Sequence, residues 1–124
     1  MKSLQAAGEM LSDARLMYEH TRLKSAADRA YYAMFHAAQA ALAAEVERLP
    51  KSHSGTRTLF AQRLIATNKL DRSMSRDLTY AFELRQASAY EVEATFGLEA
   101  VEEVIARAER FVRAIRVFLQ AAAP

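Results

Sequence analysis

Apolar residues recur along this chain at steps of three and four, and nowhere do they alternate with the period of two that marks a strand. The first amphipathic stretch covers 4–19, where Leu4, Ala7, Leu11, Ala14 and Tyr18 share a face that Met10 and Met17 widen. The second covers 22–47 and carries two apolar stripes. One is alanine: Ala26, Ala30, Ala33, Ala37, Ala40 and Ala44. The other is bulkier: Tyr31, Phe35, Ala38 and Leu42. Between Ser25 and Ala44 only Asp28 and Arg29 carry a full charge, so this helix is expected at the centre of the fold. Ser25 and Asp28 have the spacing of a capping box. The alanine face allows a neighbouring helix to come close, and the aromatic face needs a cover, for which a second subunit is one candidate.

The Pro, Gly and Ser content of 49–55 predicts a loop. A short helix is expected over 56–67, burying Leu59, Phe60, Leu64 and Ile65. A connection at 68–71 leads to a fourth helix over 72–87, with Met74, Leu78, Ala81 and Phe82 inward. Gly97 precedes the fifth, 98–121, where Val101, Ile105, Ala108, Val112, Ile115 and Leu119 form a seam flanked by Val104, Phe111 and Phe118. The expectation is an all-α fold, an up-and-down bundle of four to five helices, with residues 1–124 as a single domain.

Composition agrees with this. The 124 residues include only three glycines and two prolines, and scarce helix breakers favour helix. With no cysteine, disulfides and thiolate metal sites are excluded. The formal charge of +2 permits contact with nucleic acid without arguing for it. The N-terminal stretch is amphipathic, with Glu9 and Asp13, unlike a secretory leader, and no run has membrane character. A cytoplasmic protein is the expectation.

Two arginines interrupt apolar faces. Arg85 continues the inward face of the fourth helix, and Arg29 lies on the alanine face of the second. Buried arginine is rare unless paired. One reading is a pair of structural ion pairs, with Asp28, Glu83, Glu91 or Glu93 as partners. The other is a guanidinium aimed into a cleft, where its rigid fork matches phosphate oxygens. Tyr90 follows Arg85 by five positions, about 140° on an ideal helix, so the two share a face only if the helix ends between them. His20 closes the first helix, and His36 reads as a bundle histidine. His53, between Ser52 and Ser54, either belongs to a helix cap or faces the cleft. The spacing of these three matches no zinc motif. Arg107, Arg110, Arg113 and Arg116 wind around the last helix among glutamates, which reads as a solvated face, with an RNA-facing patch as the rival reading.

Three segments together carry a family resemblance: Arg29-Ala30-Tyr31-Tyr32-Ala33-Met34-Phe35-His36, Lys51-Ser52-His53-Ser54-Gly55 and Leu84-Arg85-Gln86-Ala87-Ser88-Ala89-Tyr90. In their order and spacing they resemble the HEPN domain (higher eukaryotes and prokaryotes nucleotide-binding), in its small stand-alone prokaryotic form. The resemblance implies a helical bundle that forms a homodimer. It implies a partner, a minimal nucleotidyltransferase, in a toxin–antitoxin-like system, and RNA or nucleotide as ligand. No cofactor and no metal are implied. Arg85 matches the arginine of the family's ribonuclease motif, and Tyr90 stands where that motif has histidine. The site residues implied are Arg29, His53, Arg85 and Tyr90 for nucleotide or RNA, Arg85 and Tyr90 for any catalysis, and Tyr31, Tyr32 and Phe35 for the dimer.

Histidine suits metal-free RNA cleavage because its ordinary pKa of ~6.5 lies near working pH. A phenol titrates near ~10 and is a poor base, but it can hydrogen-bond phosphate or stack on a base. A binding module is therefore the leading expectation. A metal-independent ribonuclease using Arg85, with Tyr90 or a distant histidine moving the proton, is the alternative, and a non-catalytic helical scaffold the third.

Overall fold

A computed structural model describes residues 2–90 and 96–122. It is all-helical over that range, with no strand among the described residues. The helices are α1 (Lys2–Glu19), α2 (Leu23–Ala43), α3 (His53–Phe60), α4 (Arg72–Ser88) and α5 (Leu98–Ala122). Over Ala61–Ile65 the end of α3 widens into a turn of π-helical pitch.

α2 is the hub, packed along α1 and against α5, α4 and α3. Its alanine stripe explains this. Ala26, Ala30, Ala33 and Ala37 are fully buried, and their short side chains let α1 and α5 approach its backbone. The largest fully buried side chains come from nearly every direction: Tyr31, Met34 and Leu42 of α2, Phe60 and Leu64 beyond it, and Val101, Ile105, Phe111 and Ile115 of α5. Phe60 and Phe111 meet with ring centroids 5.5 Å apart. The α5 seam read from the sequence is inward as far as Ile115, while Leu119 is only half-buried.

The boundary between α1 and α2 falls where the sequence reading put it, while the end of α2 and the start of α3 differ. Between α1 and α2 the chain reverses in three residues. Thr21 takes a left-handed φ of 55°, and the Arg22 N–H donates to the Met17 carbonyl at 2.8 Å, the bond that closes a Schellman motif. α2 then starts from Arg22 with no side-chain cap. The expected capping box at Ser25 and Asp28 does not form, because those residues lie inside the helix, and Asp28 is bonded elsewhere. α2 ends at Ala43, four residues short of the predicted end, and Glu45 just beyond it pairs with Lys69.

α3 begins three residues early. Ser52, extended at φ −88° and ψ 155°, accepts a hydrogen bond from the Gly55 N–H at 2.9 Å, and its carbonyl accepts the Thr56 hydroxyl at 3.0 Å. The cap is tight enough to require glycine. A Cβ on Gly55 would stand 2.7 Å from Ser52 Oγ and 3.1 Å from Pro50 Cβ. This early start turns His53 from a loop residue into the first residue of a helix. At the other end, Asp71 caps α4 by accepting the Ser73 N–H at 3.0 Å.

Candidate functional site

α2 presents Tyr31, Tyr32 and Phe35 on one side, and α3 and α4 close over them. α3 brings His53. The His53 ring stacks on Phe35 at a centroid distance of 4.4 Å and on Tyr31 at 5.5 Å. Its Nδ1 lies 2.7 Å from the Tyr31 hydroxyl. α4 brings Phe82, 5.7 Å from the Tyr31 ring, and Arg85. Tyr31 is thereby wholly buried and Phe35 nearly so. Much of the cover expected from a second subunit comes from α3 and α4 of the same chain. Of the three residues read as a dimer surface, Tyr32 keeps the most open area.

Arg85 is held on two sides. Its Nε donates to Asp28 Oδ1 at 2.8 Å, and its Nη2 donates to the Tyr32 hydroxyl at 3.1 Å. The guanidinium also stands 5.0 Å from the centre of the Tyr32 ring and 5.5 Å from that of Tyr31. The hydrogen bond to Asp28 raises its pKa above the usual arginine range, so it is a permanent cation. The ion-pair reading of this residue is seen, with Asp28 as the partner. The Arg85 side chain is still 32% exposed, at a cleft of about 420 Å³ lined by Asp28, Arg85, Gln86, Ser88, Ala89 and Tyr90.

Tyr90 reaches that cleft because α4 tightens as it ends. The Ala89 and Tyr90 N–H groups donate three residues back, to Gln86 and Ala87, each at 3.1 Å. That closure changes the angle between Arg85 and Tyr90 from the value a continuous α-helix would impose. Tyr90 is 91% exposed, and no ring or guanidinium among the described residues lies against it. Glu91 and Glu93, considered as partners for Arg85, lie outside the described residues.

Arg29 is half-exposed one position beyond Asp28, with Nη1 3.9 Å from that carboxylate, and it does not line the cleft. Its Nε is buried with no acceptor. Arg57 shares that feature and was not singled out from the sequence. Its guanidinium lies 3.8 Å over the Phe82 ring. The signal was present, since Arg57 follows His53 by four positions and so shares its face.

Charge sets the state of the rings. Burial raises the Tyr31 hydroxyl to about 12, so it stays protonated. Burial first, then Arg85 and Arg57, push His53 below the ordinary imidazole value. At neutral pH the pair is therefore a phenol beside a neutral imidazole. Burial also lowers His36, which has ring contacts with Tyr32 and Phe35. His20 is exposed beyond the end of α1. Among the described residues no three His, Asp or Glu side chains converge so as to hold a metal ion. No described helix is long and apolar enough to cross a membrane.

The basic run of α5 divides. Arg110, Arg113 and Arg116 are exposed, as a solvated face should be. Arg107 is not part of that face. It binds Asp77 at 3.1 Å and Glu103 at 2.9 Å and lies 4.1 Å from the centre of the Tyr80 ring.

Comparison with known proteins adds a name to this geometry. A sequence profile of the HEPN domain matches residues 1–118. A Thermotoga maritima protein designated UPF0332 is 33% identical over 114 residues, covering 92% of this chain and 86% of its own. A Gloeobacter violaceus UPF0332 protein is 32% identical over 117 residues, with 94% and 92% covered. A Methanocaldococcus jannaschii protein bearing the name "Putative toxin" is 32% identical over 117 residues, with 94% and 86% covered. The motif order, the helical bundle and these matches agree, and the chain belongs to the HEPN domain family.

Proposed function

We propose that this chain is a toxin-type HEPN module directed at RNA, in which Arg85 holds a backbone phosphate and Tyr90 stacks on a neighbouring base. The observation that carries this reading is the cleft itself. A guanidinium fixed by Asp28 and Tyr32 meets solvent beside a tyrosine that is 91% exposed. A fixed fork loses little freedom on taking up a phosphate, and a bare aromatic ring is the usual platform for an unpaired base. Asp28 competes for Arg85, so the balance of charge matters. Among the described residues Arg29 and Arg85 share that one carboxylate, and Arg57 acts on the same rings without an ion pair of its own. Over those residues the excess is positive, which favours an anion. The names carried by the Methanocaldococcus jannaschii relatives support the toxin part. In this reading the protein is a cytoplasmic homodimer that uses the open part of Tyr32, with Tyr31 and Phe35 packed behind it, and a minimal nucleotidyltransferase is its antitoxin partner. Fluorescence anisotropy with a labelled single-stranded RNA at low salt tests it. Wild-type protein binds and Arg85→Ala loses most of the affinity; a wild type that ignores RNA rejects the reading.

One observation favours ribonuclease activity as a second reading. His53, a neutral imidazole near Arg85 and hydrogen-bonded to Tyr31, could take the proton that a tyrosine at position 90 takes poorly. In such a reaction the 2′-oxygen attacks phosphorus as a base removes its proton. The bond to the 5′-oxygen breaks, that oxygen receives a proton, and a 2′,3′-cyclic phosphate remains. Cleavage of RNA in chelator, lost in both Arg85→Ala and His53→Ala, supports it. RNA bound and left intact restricts the protein to binding.

A further inference from the structure

We infer that Arg57 is a second phosphate-binding residue, placed to take the backbone phosphate next to the one held at Arg85. The inference rests on the RNA-binding reading above and extends it to a side chain outside the cleft.

Three observations lead there. First, Arg57 lacks what the other engaged arginines have. Arg15, Arg85 and Arg107 each meet a carboxylate within 3.1 Å, whereas no carboxylate among the described residues pairs with Arg57, and its buried Nε has no acceptor. The Nε is sealed from solvent, so a ligand would meet the terminal Nη groups of this half-buried side chain. Second, Arg57 is already positioned. Its head lies 3.8 Å over Phe82, and Phe82 packs 5.7 Å from Tyr31, the ring that Arg85 approaches from its own side at 5.5 Å. The two guanidiniums thus belong to one connected group of rings and both act on His53. Third, Arg57 does not line the cleft that holds Arg85 and Tyr90. A single phosphate seated there meets Arg85, and Arg57 is left for a neighbouring group on the same strand. The ligand class is therefore a single-stranded RNA of at least two phosphates rather than a mononucleotide.

Stacking over Phe82 could be the whole role of Arg57, so the test must separate charge recognition from packing. The probe is a labelled six-nucleotide single-stranded RNA, titrated across a salt series with wild type, Arg57→Gln, Arg57→Lys and Arg85→Ala. Arg57→Gln should weaken binding by about tenfold, the scale of one hydrogen bond to a charged group. It should also lower the slope of log affinity against log salt by about 0.7, the value of one phosphate contact on a single strand. Arg57→Lys keeps the charge and should keep the slope, with affinity between the two. AMP used as competitor should distinguish Arg57→Gln from wild type far less than the oligonucleotide does. If Arg85→Ala loses binding while both Arg57 variants match wild type in affinity and slope, the inference fails and the Arg85 site survives. If wild type does not bind the oligonucleotide, both fail together.

Discussion

Two arginines in this fold have almost the same neighbours and different circumstances. Arg107 lies between Asp77 and Glu103 over Tyr80. Arg85 lies between Asp28 and the Tyr32 hydroxyl, beside Tyr31 and Tyr32. Each has a tyrosine ring and an aspartate from another helix. The difference is in the count of opposite charges and the depth of the acid. Arg107 has two carboxylates, and Asp77 is a buried residue. Among the described residues Arg85 has one, shared with Arg29, and Asp28 stays 36% exposed. Among the described residues the first cluster sets one arginine against two carboxylates and ties α4 to α5. The second sets two arginines against one carboxylate at a cleft. Residue type alone does not separate a structural staple from a ligand site; the sign of the local charge does.

The largest effect should come from breaking the Arg107 cluster. Arg107→Ala strands Asp77 without its partner, and a partly sealed pair of this kind costs about 2–3 kcal/mol, a fall in Tm of roughly 6–10 °C for a chain of this length. Arg85→Ala should cost no more than about 1 kcal/mol, because the exposed Asp28 regains water. Thermal melts of the two variants side by side check this, and equal losses would erase the contrast.

Ligand binding should reverse the order. Arg85→Ala should reduce affinity for single-stranded RNA by about ten- to thirtyfold, the weight of a charge-assisted contact to phosphate. Arg107→Ala should leave the affinity of the folded protein unchanged. Anisotropy titrations at fixed salt measure both.

Tyr90 gives a smaller and more selective effect. Tyr90→Ala should weaken RNA binding by about fivefold, at the low end for a stacked base, while Tyr90→Phe retains it. If the phenylalanine variant falls as far as the alanine one, the hydroxyl and not the ring face is the contact.

The weakest effect is a pH dependence. The His53 pKa is lowered in the folded state, so at mildly acid pH the unfolded chain binds more protons than the folded one. The stability that His53 contributes is present above the ordinary imidazole pKa of 6.5 and is lost as pH falls through that value toward the lowered one. His36 acts in the same direction. Tm should therefore decline between pH 7.5 and 5, and His53→Gln should flatten part of that slope. An unchanged slope would remove His53 from the aromatic tier.

The fold was legible because helical periodicity and alanine content are local properties. The α5 seam and the burial of Ala26, Ala30, Ala33 and Ala37 followed from spacing alone. Helix ends were read unevenly. The end of α1 at Glu19 agrees with the sequence reading, although Thr21 closes it in a conformation usually left to glycine, while α2 stops short at Ala43 and Ser52 rather than a later residue starts α3. Arg85 and Tyr90 stood out as a polar break and a motif position. Arg57 shares a face with His53 by its step of four, but its place over Phe82 and its lack of a carboxylate partner among the described residues are not visible from its own stretch of chain. Arg107 was misread for the converse reason: Asp77, its buried partner, lies 30 residues away on another helix.

The claim that Arg85 takes up a ligand while Arg107, held by two carboxylates, does not can be read from the arginine side chains themselves. Both Nε–H groups donate to carboxylates in the free protein, to Asp28 and to Glu103. In an NMR titration with a six-nucleotide single-stranded RNA, the Nε–H resonance of Arg85 should shift with saturation while that of Arg107 stays in place. A stationary Arg85 signal under conditions where the RNA binds would contradict the account.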